Sequence, residues 1–166
     1  MTAADWINRL DLVEHPEGGY YREAYRSTET IAAAALPERF GGDRPVATSI
    51  YFLITRERPS RFHRLHADEV WYHHAGATLT LHLLHEESGA YDALRLGVDA
   101  GDDVEPQRVV SAGTWFGASV EEGAFALVGC AVAPGFHFDD FEIGEEEALH
   151  ALFPAHRSII ARLTNH

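Results

Sequence analysis

From about residue 20 to residue 142 the chain alternates short apolar-rich runs with turn residues, a pattern of strands rather than helices. The run VATSIYFLIT (46–55) is apolar enough for a central strand. Further strands are expected near 60–65, 69–74, 78–85, 91–96, 107–111, 114–118 and 124–132, separated by turn signals such as Ala75-Gly76, Ser88-Gly89 and Glu122-Gly123. Before them, Tyr20, Arg22, Ala24 and Arg26 share one face of an alternating run, and residues 27–45 form an excursion with an alanine run, two prolines and two glycines. Many short strands at this spacing predict a sandwich or barrel. Helical periodicity is confined to the ends. Thr2 and Asp5 make a capping-box-like start, with Trp6, Ile7 and Leu10 on one face, and Leu149, Leu152 and Phe153 precede Pro154, with Ile159, Ile160 and Leu163 after it. The expectation is one all-β domain over residues 1–166, with short N- and C-terminal helices.

Composition narrows the partners. Acidic residues outnumber basic ones by 26 to 13, a formal net charge of -13 with no Lys/Arg cluster to offset it, which disfavours nucleic acid and anionic membranes. No apolar run reaches the length of a membrane span, and the N-terminus lacks an apolar signal core, so a cytoplasmic location is the default. The lone cysteine, Cys130, lies in the apolar run FALVGCAVA and reads as a buried inert thiol.

Six of the 11 histidines fall within residues 63–85, in and beyond SRFHRLHADEVWYHHAG. On a strand Glu69, Trp71 and His73 point one way, and His63 on the preceding strand can face the same space. Imidazoles and a carboxylate converging in a partly apolar cavity can ligate a divalent metal or move protons. His74, His82 and His85 taken singly read as ordinary polar strand residues. Ser111 and Ser119 show no His–acid partnership, Glu17-Gly18-Gly19 lacks the context of a phosphate loop, and Asp139, Asp140 and Glu142 read as a solvated face.

The blocks HPEGGYYREAYRS (15–27), SIYFLIT (49–55), FHRLHADEVWYHHAG (62–76), VVSAGTWFGA (109–118) and LVGCAVAPGFHFDDFEI (127–143) together resemble a family of small single-domain cupins whose biochemical role is largely unassigned. The resemblance implies a double-stranded β-helix (jelly-roll) barrel, assembled as a homodimer, with a pocket for a small molecule. It places His63, Glu69, Trp71, His73 and Trp115 at pocket positions and adds Tyr20, Arg22 and Tyr51 as contributors. Trp71 and Trp115 suit either a stacking surface or core packing.

Departures from the cupin pattern bear on metal. Leu65 stands where the second metal histidine would be, two positions after His63, and Phe116 stands where the second motif would supply another, three positions after Gly113. Two usual ligands remain, His63 and Glu69, with His73 or His66 as a third, so a divalent metal is a candidate cofactor rather than a requirement. Three functions follow as expectations. The first is a metal-independent isomerase or epimerase acting on a sugar or nucleotide-linked sugar. In it His63 takes a proton alpha to a carbonyl, Tyr20 or Tyr51 returns one, Arg22 stabilises the enolate or a phosphate, and Glu69 orients the imidazole. The others are a non-catalytic small-metabolite binder and a metal-dependent dioxygenase or isomerase ligated by His63, Glu69 and His73 or His66.

Overall fold

The computed structural model describes residues 1–99 and 101–165. It opens with helix α1 (Ala3–Leu10), then strands β1 (Val13–Glu14), β2 (Tyr20–Arg26), β3 (Thr30–Ile31), β4 (Arg44–Pro45), β5 (Thr48–Thr55), β6 (Ser60–Leu65) and β7 (Asp68–Gly76). There follow β8 (Leu79–His85), β9 (Ala90–Leu96), β10 (Val104–Glu105), β11 (Gln107–Val110), β12 (Trp115–Ser119), β13 (Phe125–Ala133) and β14 (Phe141–Ile143), and finally α2 (Glu146–Leu152) and α3 (Arg157–Arg162). Two six-stranded sheets result, in the orders β1-β2-β5-β13-β7-β11 and β10-β9-β8-β12-β6-β14. They face each other as the two walls of a barrel and share one apolar core.

Alternation along each strand decides what lies between the walls. Phe52, Ile54, Trp71, Leu79, Leu81, Leu83, Phe116, Val128 and Cys130 pack inside as one apolar cluster. The helices cover part of each outer face. The Thr2–Asp5 capping box forms, with Thr2 N–H donating to Asp5 Oδ2 at 2.7 Å and Asp5 N–H to Thr2 Oγ1 at 3.2 Å. Trp6, Ile7 and Leu10 of the helix it starts then cover Leu53, Leu127, Tyr20 and Tyr51. At the other end Leu149, Phe153, Ile160 and Leu163 cover Phe62, Leu84 and Trp115. Among the described residues no helix is long and apolar enough to cross a membrane.

Residues 27–45 are more ordered than their composition suggests. β3 and β4 pair as a two-stranded ribbon. Arg44 ties it to the barrel, donating from Nε and Nη2 to the two oxygens of Asp140, each at 2.6 Å. Both side chains are buried, so Asp140 is not part of a solvated face, as its sequence context suggests; the planar guanidinium fork replaces the water it loses.

Candidate functional site

A cavity of about 400 Å³ opens between the sheets. Its deep end carries His63 from β6 and Glu69 from β7, with Phe52, Leu65, Cys130 and Val132, all buried. Toward solvent it is lined by Asp11, Val13, Glu23, Arg26 and Phe138, and its walls include Tyr21, Ile50, Phe136 and Phe141.

Two further polar groups, His15 and Glu17, enter it from the turn between β1 and β2. Gly18 and Gly19 take φ of +111° and +66° there, and a Cβ on Gly18 would stand 2.1 Å from the Pro59 carbonyl oxygen. The glycines therefore let the turn lie flat against the start of β6, where Arg61 N–H donates to Glu17 O at 2.8 Å and Arg61 Nη2 to Pro16 O at 2.6 Å. Glu17 is thereby driven into the barrel. Ser60 Oγ–H donates to its Oε1 at 2.7 Å, and its Oε2 lies 3.2 Å from His63 Nε2.

Burial sets the charge states. Glu69 accepts one hydrogen bond, from Trp71 Nε1–H to Oε2 at 2.9 Å, and burial pushes its pKa up to about 7 against that bond. Glu17 is held well above the usual carboxylate range by burial first and then by Glu69. Burial lowers His15 to about 4 and His63 to about 3, the Arg61 carbonyl opposing the shift at His63 and His15 adding to it. The imidazoles are therefore neutral near neutral pH, and burial favours a carboxyl proton on Glu17. That proton fits the Oε2···Nε2 contact, because His63 Nδ1–H is already donated to Arg61 O at 2.7 Å.

The structure separates the residues that the sequence grouped. A register shift in β2 between Glu23 and Tyr25 puts Tyr21, Glu23 and Arg26 opposite Phe52, Ile50 and Thr48, so Arg26 leaves the face it would share with Tyr20 and Arg22 in a regular strand. Tyr20 and Tyr51 lie on the outer side beneath α1, away from the cavity. Arg22 reaches the cavity rim, while its guanidinium carbon is 5.5 Å from the Tyr51 ring centroid. Trp71 packs behind Glu69, edge-on to Phe52 and Phe116. His73 donates Nε2–H to Ala77 O at 3.0 Å in the following turn, and Trp115 lies under the C-terminal helices with Arg64 4.5 Å above its ring. The imidazole of His63 is oriented by Arg61 and Glu17 rather than by Glu69.

This donor set does not fit a divalent ion. His63 has both nitrogens engaged, His73 faces a turn carbonyl, and His66 sits 3.5 Å from Asp140 outside the cavity. Phe116 packs its ring 4.2 Å from that of His63. Among the described residues no group of three or more His, Cys, Asp or Glu side chains is disposed to hold a metal.

The family model described as Cupin superfamily (DUF985) matches residues 4–144. The chain belongs to this cupin family. Over 99% of its length this cupin is similar to protein SO0799 from Shewanella oneidensis, 41% identical with a TM-score of 0.90 and 98% of that chain covered. It is also similar to a hypothetical protein from Leishmania major, 37% identical with a TM-score of 0.90, both chains fully covered. An uncharacterized protein of Saccharomyces cerevisiae, YML079W, is 27% identical over 95% of this cupin and 83% of its own length.

Proposed function

We propose that this cupin is a proton-transfer enzyme of the isomerase kind, acting on a small carbonyl compound without routing the step through a metal. The observation that carries this reading is the buried Glu17–His63 contact of 3.2 Å in the same cavity as Glu69. Two carboxyls whose surroundings raise them unequally divide the roles of acid and base. Glu69, at about 7, supplies the base that takes a proton from the carbon beside the carbonyl. The electron pair of that C–H bond moves toward the carbonyl oxygen, which receives its proton from the Glu17–His63 pair. Glu69 then returns its proton to the former carbonyl carbon, while the hydroxyl on the first carbon becomes the new carbonyl and gives its proton back to the Glu17–His63 pair. This completes the isomerisation of a 2-hydroxy carbonyl compound and restores the site.

The lining bears on the substrate. Arg26 is engaged by Glu23 at 2.9 and 2.8 Å and donates to Phe136 O at 3.2 Å. Four acids line the cavity against two arginines, so a diphosphate is a poor fit and a compact uncharged sugar or ketone a better one. The test is solvent exchange. Wild-type protein in D₂O, offered a panel of keto sugars and simple ketones, is expected to incorporate deuterium at the carbon beside the carbonyl of at least one. Glu69→Gln should slow that incorporation by about 10²–10⁴-fold. A panel member that stabilises folding without any exchange would replace this reading with that of a metabolite-binding protein.

A further inference from the structure

The two cavity histidines are locked in opposite tautomers. His63 Nδ1 faces the Arg61 carbonyl oxygen, which can only accept, so the ring proton is on Nδ1 and Nε2 is an acceptor. At His15 the polarity is reversed. Its Nδ1 accepts the backbone N–H of Glu17 at 3.1 Å, so the neutral ring carries its proton on Nε2. Among the described residues no hydrogen bond engages His15 Nε2, although the side chain is only 7% exposed and lines the cavity. The ring is held in place by Tyr21, Phe52 and Phe141, at centroid distances of 4.5, 5.5 and 6.1 Å. A donor fixed this firmly, with no protein acceptor, is complementary to an acceptor on a ligand.

We propose that His15 Nε2–H is the donor that binds the carbonyl oxygen of the substrate, which makes the ligand class an uncharged carbonyl compound with an apolar or aromatic body. The apolar body follows from Ile50, Phe136, Phe138 and Phe141 along the cavity walls. Burial keeps the ring uncharged near neutral pH, so it offers a hydrogen bond without demanding an anion. The chemistry of this assignment rests on the proton-transfer reading; its geometry does not.

The test has two parts. In ¹⁵N-histidine-labelled protein, long-range proton–nitrogen spectra should place the His15 proton on Nε2 and the His63 proton on Nδ1. Binding is then compared for acetophenone and ethylbenzene, which share a ring but differ in the acceptor. Wild type should favour acetophenone by about tenfold. His15→Asn keeps an acceptor near the Nδ1 position and loses the donor, so the preference should vanish; His15→Gln restores a donor near the Nε2 position and should recover part of it. A His15 proton on Nδ1, equal affinities or no binding of either probe to wild type, or an intact preference in His15→Asn would each overturn the assignment. Failure of the proton-transfer reading is distinct from these: no deuterium exchange on any ketone, with the tautomer and the acetophenone preference intact.

Discussion

The second sheet carries a buried histidine on each face, and they differ in what surrounds them. His63 points inward to the cavity; His82 points outward under the C-terminal helices. Burial lowers both, His82 to about 4 with Arg162 adding to the shift and Glu121 opposing it. On the outer face the hydrogen bonds close on themselves. Tyr91 O–H meets His82 Nδ1 at 2.8 Å, His82 Nε2–H meets Ser119 Oγ at 2.8 Å, and Ser119 donates to Glu121 Oε1 at 2.6 Å. Arg162 donates to Ser119 at 2.9 Å and also binds Glu121. Ser119 therefore does have a histidine and a carboxylate beside it, contrary to its sequence context, yet its proton is committed to Glu121 and its oxygen already accepts twice. On the inner face the chain from Arg61 through His63 to Glu17 ends beside a cavity, with His15 and Glu69 also lining that space. A buried, shifted histidine marks a site only where its partners leave chemistry over for a ligand.

The largest expected effect that would break this contrast is on exchange. Glu17→Gln, like Glu69→Gln, should lose about 10²–10⁴-fold of the deuterium incorporation, whereas His82→Gln should stay within about threefold of wild type. The next effect runs the other way. His82→Ala leaves Tyr91 and Ser119 short of a partner and opens a hole, and should cost about 3–5 kcal/mol in urea unfolding. Glu17→Gln, which keeps a donor for His63 and an acceptor for Ser60, should cost under about 1 kcal/mol.

A smaller effect depends on pH. Glu69 is raised from 4.5 to about 7 in the folded chain, so the native state binds the extra proton between those values and stability falls as pH rises through that window. Glu69→Gln removes this loss, and should gain on wild type by up to about 3 kcal/mol between pH 4.5 and pH 8, measured by urea unfolding. His15 and His63, lowered by burial, act in the opposite sense: their contribution is present above about 6.5 and is lost as pH falls toward 4 and then 3 in both proteins. The smallest effect is Glu121→Gln. Its ion pair with Arg162 is half exposed and should be worth less than about 1 kcal/mol, with exchange unchanged.

Most of the barrel is legible in the chain because strand alternation and turn residues are local signals. β6, β8, β9 and β12 fall within a residue or two of the expected 60–65, 78–85, 91–96 and 114–118. His63 and Glu69 are legible too, since period-two alternation turns them inward. Glu17 and His15 are not, because they sit in a turn, where no period fixes a direction and only contact with Ser60 and Arg61 does. Gly18-Gly19 is the available clue, marking a sharp reversal but not what it delivers. The β2 register shift is likewise set by pairing with β5, so nothing in YYREAYR reveals that Arg26 changes face. Trp115 reads as a pocket residue by resemblance, but helices more than thirty residues further on bury it on the outer side.

The division of roles between Glu17 and Glu69 turns on where the carboxyl protons reside. A ¹³C NMR titration of glutamate side-chain carboxyls, with Glu17→Gln and Glu69→Gln for assignment, measures this directly. That division requires a Glu69 midpoint near 7, with Glu17 still protonated well above the ordinary carboxylate range. Midpoints near 4.5 for both would leave the site without an acid at neutral pH and would contradict it.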